Sequence, residues 1–346
     1  MSPRVQFGVG FAANVRVPSV LEAAQLAERL DYDVFWVTDS HMAVREAMVI
    51  LGALAASTQR IGLGTGVSHL AGRHFSVIAS AMATLDELAP GRIRLGIGVG
   101  DSGPLNLGVP RTSLRELEAA VVAIRTLLEG GATPGDTRPL RLSYLQKRES
   151  SPVPIYVAAS GQRTLRLAGR VADAALVSGV PDQLPASIEL IRAGEREAGR
   201  AFGSTRILFW TTACVDEDRE AARAAVRGSV ARRAMNTFGR QAREGTLPDE
   251  DREALEKLQV AHQKGHIWDT GYIDLVPERW IDQLALAGTP DDVRARLEQA
   301  LADGADEIGT ILMSSRTGGA RGSSDQLTLF AERVIAPMRA ATAALR

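Results

Sequence analysis

The chain has 346 residues, 45% of them hydrophobic and 23% charged, with a formal net charge of −1. This balance excludes the basic stripe of a nucleic-acid binder and the polybasic face of a membrane-surface protein. The lone cysteine, Cys214, excludes an intrachain disulfide and cannot by itself anchor zinc, and no apolar run reaches the roughly 18 residues of a membrane span.

Short β-branched runs alternate with stretches of helical period, the pattern of repeated βα units around a parallel sheet. Gln6–Gly10 reads as a first strand; Pro18, Leu21, Ala24, Leu26 and Leu30 follow at helical spacing. Asp33–Val37 is a second strand with Met48–Ala56 as its helix. Ile61–Val67 is a third, followed by a helix from about Ser76 to Leu88 that Pro90-Gly91 closes. Ile93–Val99 is a fourth, leading to a helix from about Thr112 to Leu128. Pro154–Ala158 and Ala172–Val177 are the fifth and sixth, Arg206–Val215 the seventh and Glu307–Met313 the eighth. Eight buried strands, each followed by helix, predict a single α/β domain, a closed (β/α)8 TIM barrel. Two stretches interrupt the rhythm: Gly130–Ser151 after the fourth strand and Arg219–Gly288 after the seventh. The second is expected to hold extra helices. Met1–Val15 lacks a basic and then apolar leader, so a cytoplasmic protein is expected.

Gly98-Val99-Gly100-Asp101-Ser102-Gly103 matches the dinucleotide fingerprint G-x-G-x-x-G after a strand. Pro104, Asn106, Gly108 and Pro110 follow, so no helix is expected before about Arg111, and the acidic residue at the end of a second strand is missing. The better reading is a glycine-permissive loop at the C-terminal end of a barrel strand, open to a flat ligand, with Asp101 as its carboxylate. Glycines serving only a tight turn remain the alternative. Ala158-Ala159-Ser160-Gly161-Gln162-Arg163-Thr164 feeds a helix start, where unpaired N–H groups and the helix dipole attract an anion, most commonly phosphate. Plain capping by Ser160 or Thr164 is the alternative.

Val37-Thr38-Asp39-Ser40-His41 ends the second strand and projects Asp39 and His41 at the same mouth. A histidine there can contact a ligand or handle a proton near neutral pH. Gly64-Thr65-Gly66-Val67-Ser68 places two glycines at a buried strand end, which calls for a bend, a close approach or a simple β-bulge; His69, Arg73 and His74 follow. His262 and His266 have i, i+4 spacing, but Gln263 replaces the glutamate of a zinc protease and no metal is expected. Trp268, Tyr272 and Trp280 read as packing.

Taken together, WVTDSHM, IGLGTGV, RHFSVIASAMATLDELAPGRIRLGIGVGDSG, YVAASGQRTLRLAGRVADAALVSG and ALAGTPDDVRARL resemble the bacterial luciferase-like flavin and deazaflavin oxidoreductases. The likeness runs from about Phe7 to about Ile311 and is nearest to the methylenetetrahydromethanopterin-reductase-like subgroup. The resemblance implies a barrel holding coenzyme F420, a 5-deazaflavin, or alternatively FMN at its C-terminal mouth. It implies a non-prolyl cis peptide at Gly66-Val67 behind the central ring, with Asp39 beside the ring and Gly100 and Asp101 near its polar edge or the substrate. Ser160, Gly161 and Gln162 would hold the phosphate, with Ala158 and Arg163 also in the cofactor site; Arg73 and Arg163 are candidates for the acidic tail of F420. His41 stands one residue beyond the position many deazaflavin members give to histidine, and Gln162-Arg163 replaces a frequent Pro-Lys.

These implications set the functional expectation: hydride transfer between F420 and a small organic substrate, with His41 and Asp101 as catalytic candidates. An FMN-dependent, oxygen-using monooxygenase and a non-catalytic flavin-binding barrel are the alternatives. A homodimer or tetramer is expected, with a flavin or F420 reductase as a potential partner. A bulky residue at Gly66 is expected to harm cofactor binding more than stability.

Overall fold

The protein is described by a computed structural model covering residues 4–135, 137–147, 149, 151–264, 272–316 and 324–344. The chain opens with β1 (Gln6–Phe11), α1 (Val17–Arg29), β2 (Val34–Val37), α2 (Ala47–Ser57), β3 (Gly62–Thr65), α3 (Phe75–Leu88) and β4 (Ile93–Ile97). A short α4 (Ser102–Leu107) and α5 (Leu114–Leu128) precede β5 (Ile155–Ala159), α6 (Gln162–Val171), β6 (Ala174–Ser178), α7 (Leu184–Glu197) and β7 (Arg206–Val215). Then come α8 (Arg219–Glu244), α9 (Asp249–Lys264), α10 (Glu278–Leu284), β8 (Ala285–Gly288), α11 (Pro290–Ala302), β9 (Glu307–Leu312), α12 (Ser324–Phe330) and α13 (Ala336–Ala344). A π-helical turn, Ala331–Ile335, joins the last two helices.

β1 to β6 pair in sequence order, all parallel, and β6 pairs parallel with the first half of β7, Ala174 opposite Arg206 and Ser178 opposite Trp210. β9 lies between β7 and β1 and closes an eight-stranded TIM barrel. The strands are buried along nearly their whole length, as expected when a sheet is covered on both faces.

Local chemistry explains the helices. Ser113 and Glu116 form a reciprocal capping box at the start of α5, and Leu117, Ala120, Val121, Ile124, Leu127 and Leu128 make one buried stripe. Pro18 sits in the first turn of α1, where its missing N–H costs nothing.

Two expectations need correction. The strand at Glu307–Leu312 is the ninth, because Ala285–Gly288 also forms a strand, pairing with Thr212–Val215 in the second half of β7. It is only four residues long and α10 runs straight into it, so no turn residue announces it. A helix also forms before Arg111: α4 takes Pro104 in its first turn, where proline is tolerated, and Gly108 closes it in the left-handed conformation.

The chain forms two compact units. One comprises Met1–Ser178, Gln183–Trp210 and Ala300–Gly309; the other comprises Gly179–Asp182, Thr211–Gln299 and Thr310–Arg346. In the second, Val226, Val230, Phe238, Leu258, Tyr272 and Trp280 build an apolar core with Cys214. Buried Asp251 accepts the Trp280 indole N–H and pairs with Arg279. The packing reading of Tyr272 and Trp280 therefore holds, and the stretch 219–288 does contain extra helices. Trp268 and His266 lie outside the described residues. No helix among the described residues is long and apolar enough to cross a membrane.

Candidate active site

The C-terminal ends of the strands in the first unit carry the candidate residues. At their base, Trp36 of β2 is fully buried, with Tyr156 edge-on at 5.1 Å and Trp210 edge-on at 6.1 Å between ring centroids. The indole fills space that neighbouring strands leave by having no side chain. A Cβ on Gly64 would come within 2.6 Å of its ring, and one on Gly8 within 2.6 Å of its Nε1. At Gly66 a Cβ would stand 3.1 Å from Trp36 Cβ and 3.4 Å from the Trp210 ring. The glycines at the end of β3 thus answer to two tryptophans beneath them. The peptide bond from Gly66 to Val67 is cis. Val67 lies beyond the last residue of β3, so the strand is shorter than the predicted Ile61–Val67.

Asp39, two residues beyond β2, is buried. Its Oδ2 accepts hydrogen bonds from Ser68 Oγ at 2.7 Å and from Arg73 Nη1 at 2.6 Å. The second guanidinium arm of Arg73 pairs with Glu46, which also caps α2 through the Val49 N–H. Burial opposes the charge on Arg73, but Asp39 and Glu46 outweigh it and raise its pKa. Burial likewise opposes the Glu46 carboxylate, yet the Val49 N–H and Arg73 hold its pKa below the ordinary value. Arg73 is thus held between two carboxylates within the protein.

The loop after β4 folds over this cluster. Gly100 has a positive φ of 80°, and its missing side chain leaves room for the Pro104 ring. α4 is tied to the loop after β2 twice: Ser102 and Ser40 share a hydroxyl hydrogen bond, and Asn106 Nδ2 donates to the His41 carbonyl at 2.8 Å. His41 is half-buried. Asp101 pairs with Arg111, both about half exposed, so its carboxylate is directed along its own loop. Beneath α4 lies His69, 1% exposed, with neither ring nitrogen hydrogen-bonded within the protein. The sequence placed this histidine after the β3 glycines but gave it no role. Gly103 was the signal, since the histidine ring takes the place of a side chain there.

Ala158 lies beside Gly98, the residue after β4, where a Cβ would be 3.2 Å from its own. β5 then delivers Ser160 and Gly161 to the start of α6. Gly161 is the N-cap residue, and the Thr164 hydroxyl both accepts from its N–H and donates to its carbonyl. The first intrahelical bond runs from Leu165 N to Gly161 O, which leaves the N–H groups of Gln162, Arg163 and Thr164 directed out of the helix start. Gln162 and Arg163 are exposed. Capping by Thr164 and an open helix start coexist, so the two readings of this turn are not exclusive.

A cleft of about 1120 Å3 opens beside the β3 and β4 loops, lined by Leu70, Arg73, His74, Pro110, Arg111 and Thr112 among others. Asp39, Gly66 and Ser160 do not line it. The strand ends, where the chemistry-bearing side chains gather, are the better candidate for the reacting site. No group of His, Cys, Asp and Glu among the described residues could hold a metal ion.

Comparison with known proteins gives a consistent result. The family model of the luciferase-like monooxygenases matches residues 4–307. A 5,10-methylenetetrahydromethanopterin reductase of Archaeoglobus fulgidus is 30% identical over 309 residues, covering 88% of this chain and 92% of the relative. The enzyme of the same name from Methanolobus tindarius is 29% identical, covering 87% and 92%. Among solved structures, the coenzyme F420-dependent tetrahydromethanopterin reductase of Methanopyrus kandleri superposes with a TM-score of 0.82 at 25% identity, over 97% of this chain and 99% of that one.

Proposed function

From the premise that this chain belongs to the luciferase-like monooxygenase family, we propose that it is an oxidoreductase moving a hydride between coenzyme F420 and a small organic substrate. The observation that carries the reading is the floor at Gly66: backbone backed by Trp36 and Trp210, on the same end of the parallel strands as the open start of α6. A planar ring fits a floor without a side chain, and a phosphate fits three outward N–H groups at the positive end of a helix. The likeness to an F420-dependent reductase along nearly the whole chain favours the deazaflavin over FMN.

When bound, F420 supplies the hydride-carrying carbon, and the protein supplies position and surroundings. In this reading Gly66, Val67 and Ala158 would hold the ring, and Asp39, fixed by Ser68 and Arg73, would be its polar partner. Gly100 lets the loop approach closely. Ser160, Gly161, Gln162 and Arg163 hold the phosphate. The His41 imidazole, on the loop braced by Asn106 at the His41 carbonyl, would hold or release the proton that accompanies hydride transfer. Asp101, already paired with Arg111 along its own loop, would steady that loop beside the substrate. A cytoplasmic setting and a homodimer or tetramer belong to the same reading, and light scattering decides the assembly.

Titrating the purified protein with F420 and separately with FMN, followed by fluorescence, tests the reading. Tight F420 binding with substrate-dependent bleaching supports it. FMN binding without F420 affinity would replace it with the flavin monooxygenase, and F420 binding without turnover would leave only a carrier.

A further inference from the structure

The proposed function gives His69 no task. Its ring is withdrawn from solvent, and neither nitrogen has a hydrogen-bond partner in the protein. Its position is narrowly set. Gly103 of α4 presents bare backbone to the ring, where a Cβ would collide with Nε2, and Gly72 flanks it, with a Cβ there 3.6 Å from the ring carbon Cε1. A Cβ on Gly100 would lie 3.2 Å from that of His69. α4 therefore rests on the imidazole from above while Ser102 and Asn106 fasten it to Ser40 and His41.

The charges around the ring determine which form of it fits. α4 itself, Ser102–Leu107, carries no ionisable side chain, and Asp101 just before it is engaged by Arg111. From the loop after β2 come Asp39 and His41, and from the segment before α3 comes Arg73. Burial lowers the pKa of His69, Arg73 and His41 lower it further, and Asp39 alone pulls the other way. Asp39 already accepts from Ser68 and Arg73. An imidazolium would thus have two N–H groups, neither with an acceptor in this arrangement, and a guanidinium nearby, under a helix seated on its edge.

We propose that His69 is a positioning residue: as a neutral imidazole it seats α4, and through α4 it holds the loops after β2 and β4 in their cofactor-facing arrangement. Protonation unseats the helix, slackens the Ser40–Ser102 and His41–Asn106 ties, and weakens cofactor binding. The effect on the cofactor rests on the F420 reading; the seating of α4 does not.

Two measurements test the proposal, on the wild type and on His69→Phe, which keeps a ring but cannot titrate. The first is hydrogen exchange of the α4 amides in the protein without cofactor, corrected for intrinsic rates, between about pH 7.5 and about pH 5.5. Wild-type protection is expected to fall on acidification, and that of His69→Phe to stay level. The second is the F420 dissociation constant from fluorescence over the same range. The wild type is expected to weaken about tenfold as the histidine becomes charged, while His69→Phe matches it near neutrality and weakens about twofold. His41 and His74 remain in both proteins, so the difference between them isolates His69. If His69→Phe does not fold, His69→Gln takes its place with the same expected outcomes. Equal acid weakening in both proteins, or α4 exchange indifferent to pH in the wild type, overturns the proposal. A protein that never binds F420 but loses α4 protection in acid would overturn the cofactor reading and leave the seating of α4 standing.

Discussion

Arg73 and Asp39 form an ion pair at 2.6 Å with only 11% and 2% of their side chains exposed, and this pair fixes the loop after β2 against the segment leading into α3. A charge so placed depends on its partner, because the carboxylate cannot recover its hydration when the guanidinium is removed. Arg73→Leu is expected to destabilise the protein by about 3 kcal/mol, read as a shift in the urea midpoint. Arg73→Lys keeps the charge but loses the fork that also reaches Glu46, and should fall between the two. A Leu variant as stable as wild type would remove this pair from the architecture of the mouth.

At Gly66 the direction of the missing Cβ revises an expectation. It points at Trp36 and Trp210, beneath the floor. Bulk there overpacks the barrel core, so Gly66→Ala is expected to lose about 1 kcal/mol and Gly66→Ile about 3 kcal/mol. Thermal melts of the two variants, compared with their F420 titrations, show whether stability suffers at least as much as binding.

The α6 turn allows a substitution with two opposite effects. Arg163 is a basic residue in the first turn of a helix that has no acidic residue there. Arg163→Glu should therefore stabilise the fold by about 0.5 kcal/mol through the dipole, while repelling an anion and weakening F420 binding about tenfold at low salt. Denaturant melts and titrations at two ionic strengths check both signs. Unchanged affinity would place the phosphate elsewhere.

Away from the site, at the opposite ends of the strands, Glu307 accepts from the Tyr156 hydroxyl at 2.9 Å and pairs with Arg206 at 2.8 Å. Burial raises its pKa above the ordinary glutamate value, although Arg206 and Tyr156 pull it down. The folded protein then binds a proton that the unfolded chain releases, so this group's contribution is complete in acid and is lost as pH rises through the folded pKa. Urea midpoints measured across that range are expected to decline less steeply with rising pH in Glu307→Gln than in the wild type.

Cys214 offers a direct check on the second unit. It is fully buried, and burial pushes its thiol up to about 12. As the chain's single cysteine, it is expected to resist iodoacetamide in the native protein and to be alkylated after unfolding, scored by mass spectrometry. Rapid native labelling would mean that the second unit opens readily.

The sequence by itself determined the repeating βα order, because a parallel strand covered on both faces must be apolar throughout and its helix must carry a stripe. Arg206–Val215 was legible to the residue for that reason. The sequence also determined that the helix start after Ser160 would expose N–H groups, a local property of any turn feeding a helix. It could not reveal β8, whose four residues gain their strand character from pairing with Thr212–Val215. Nor could it reveal α4, where six residues with a proline and a glycine among them hold a helix by resting on other loops. Only the tertiary structure decided that Arg73 is committed to Asp39, that Gly64 and Gly66 answer to Trp36 and Trp210, and that His69 lies beneath Gly103. Each of these is a contact between strand ends distant in sequence, where the shape of the partner dictates the residue and no local pattern records it.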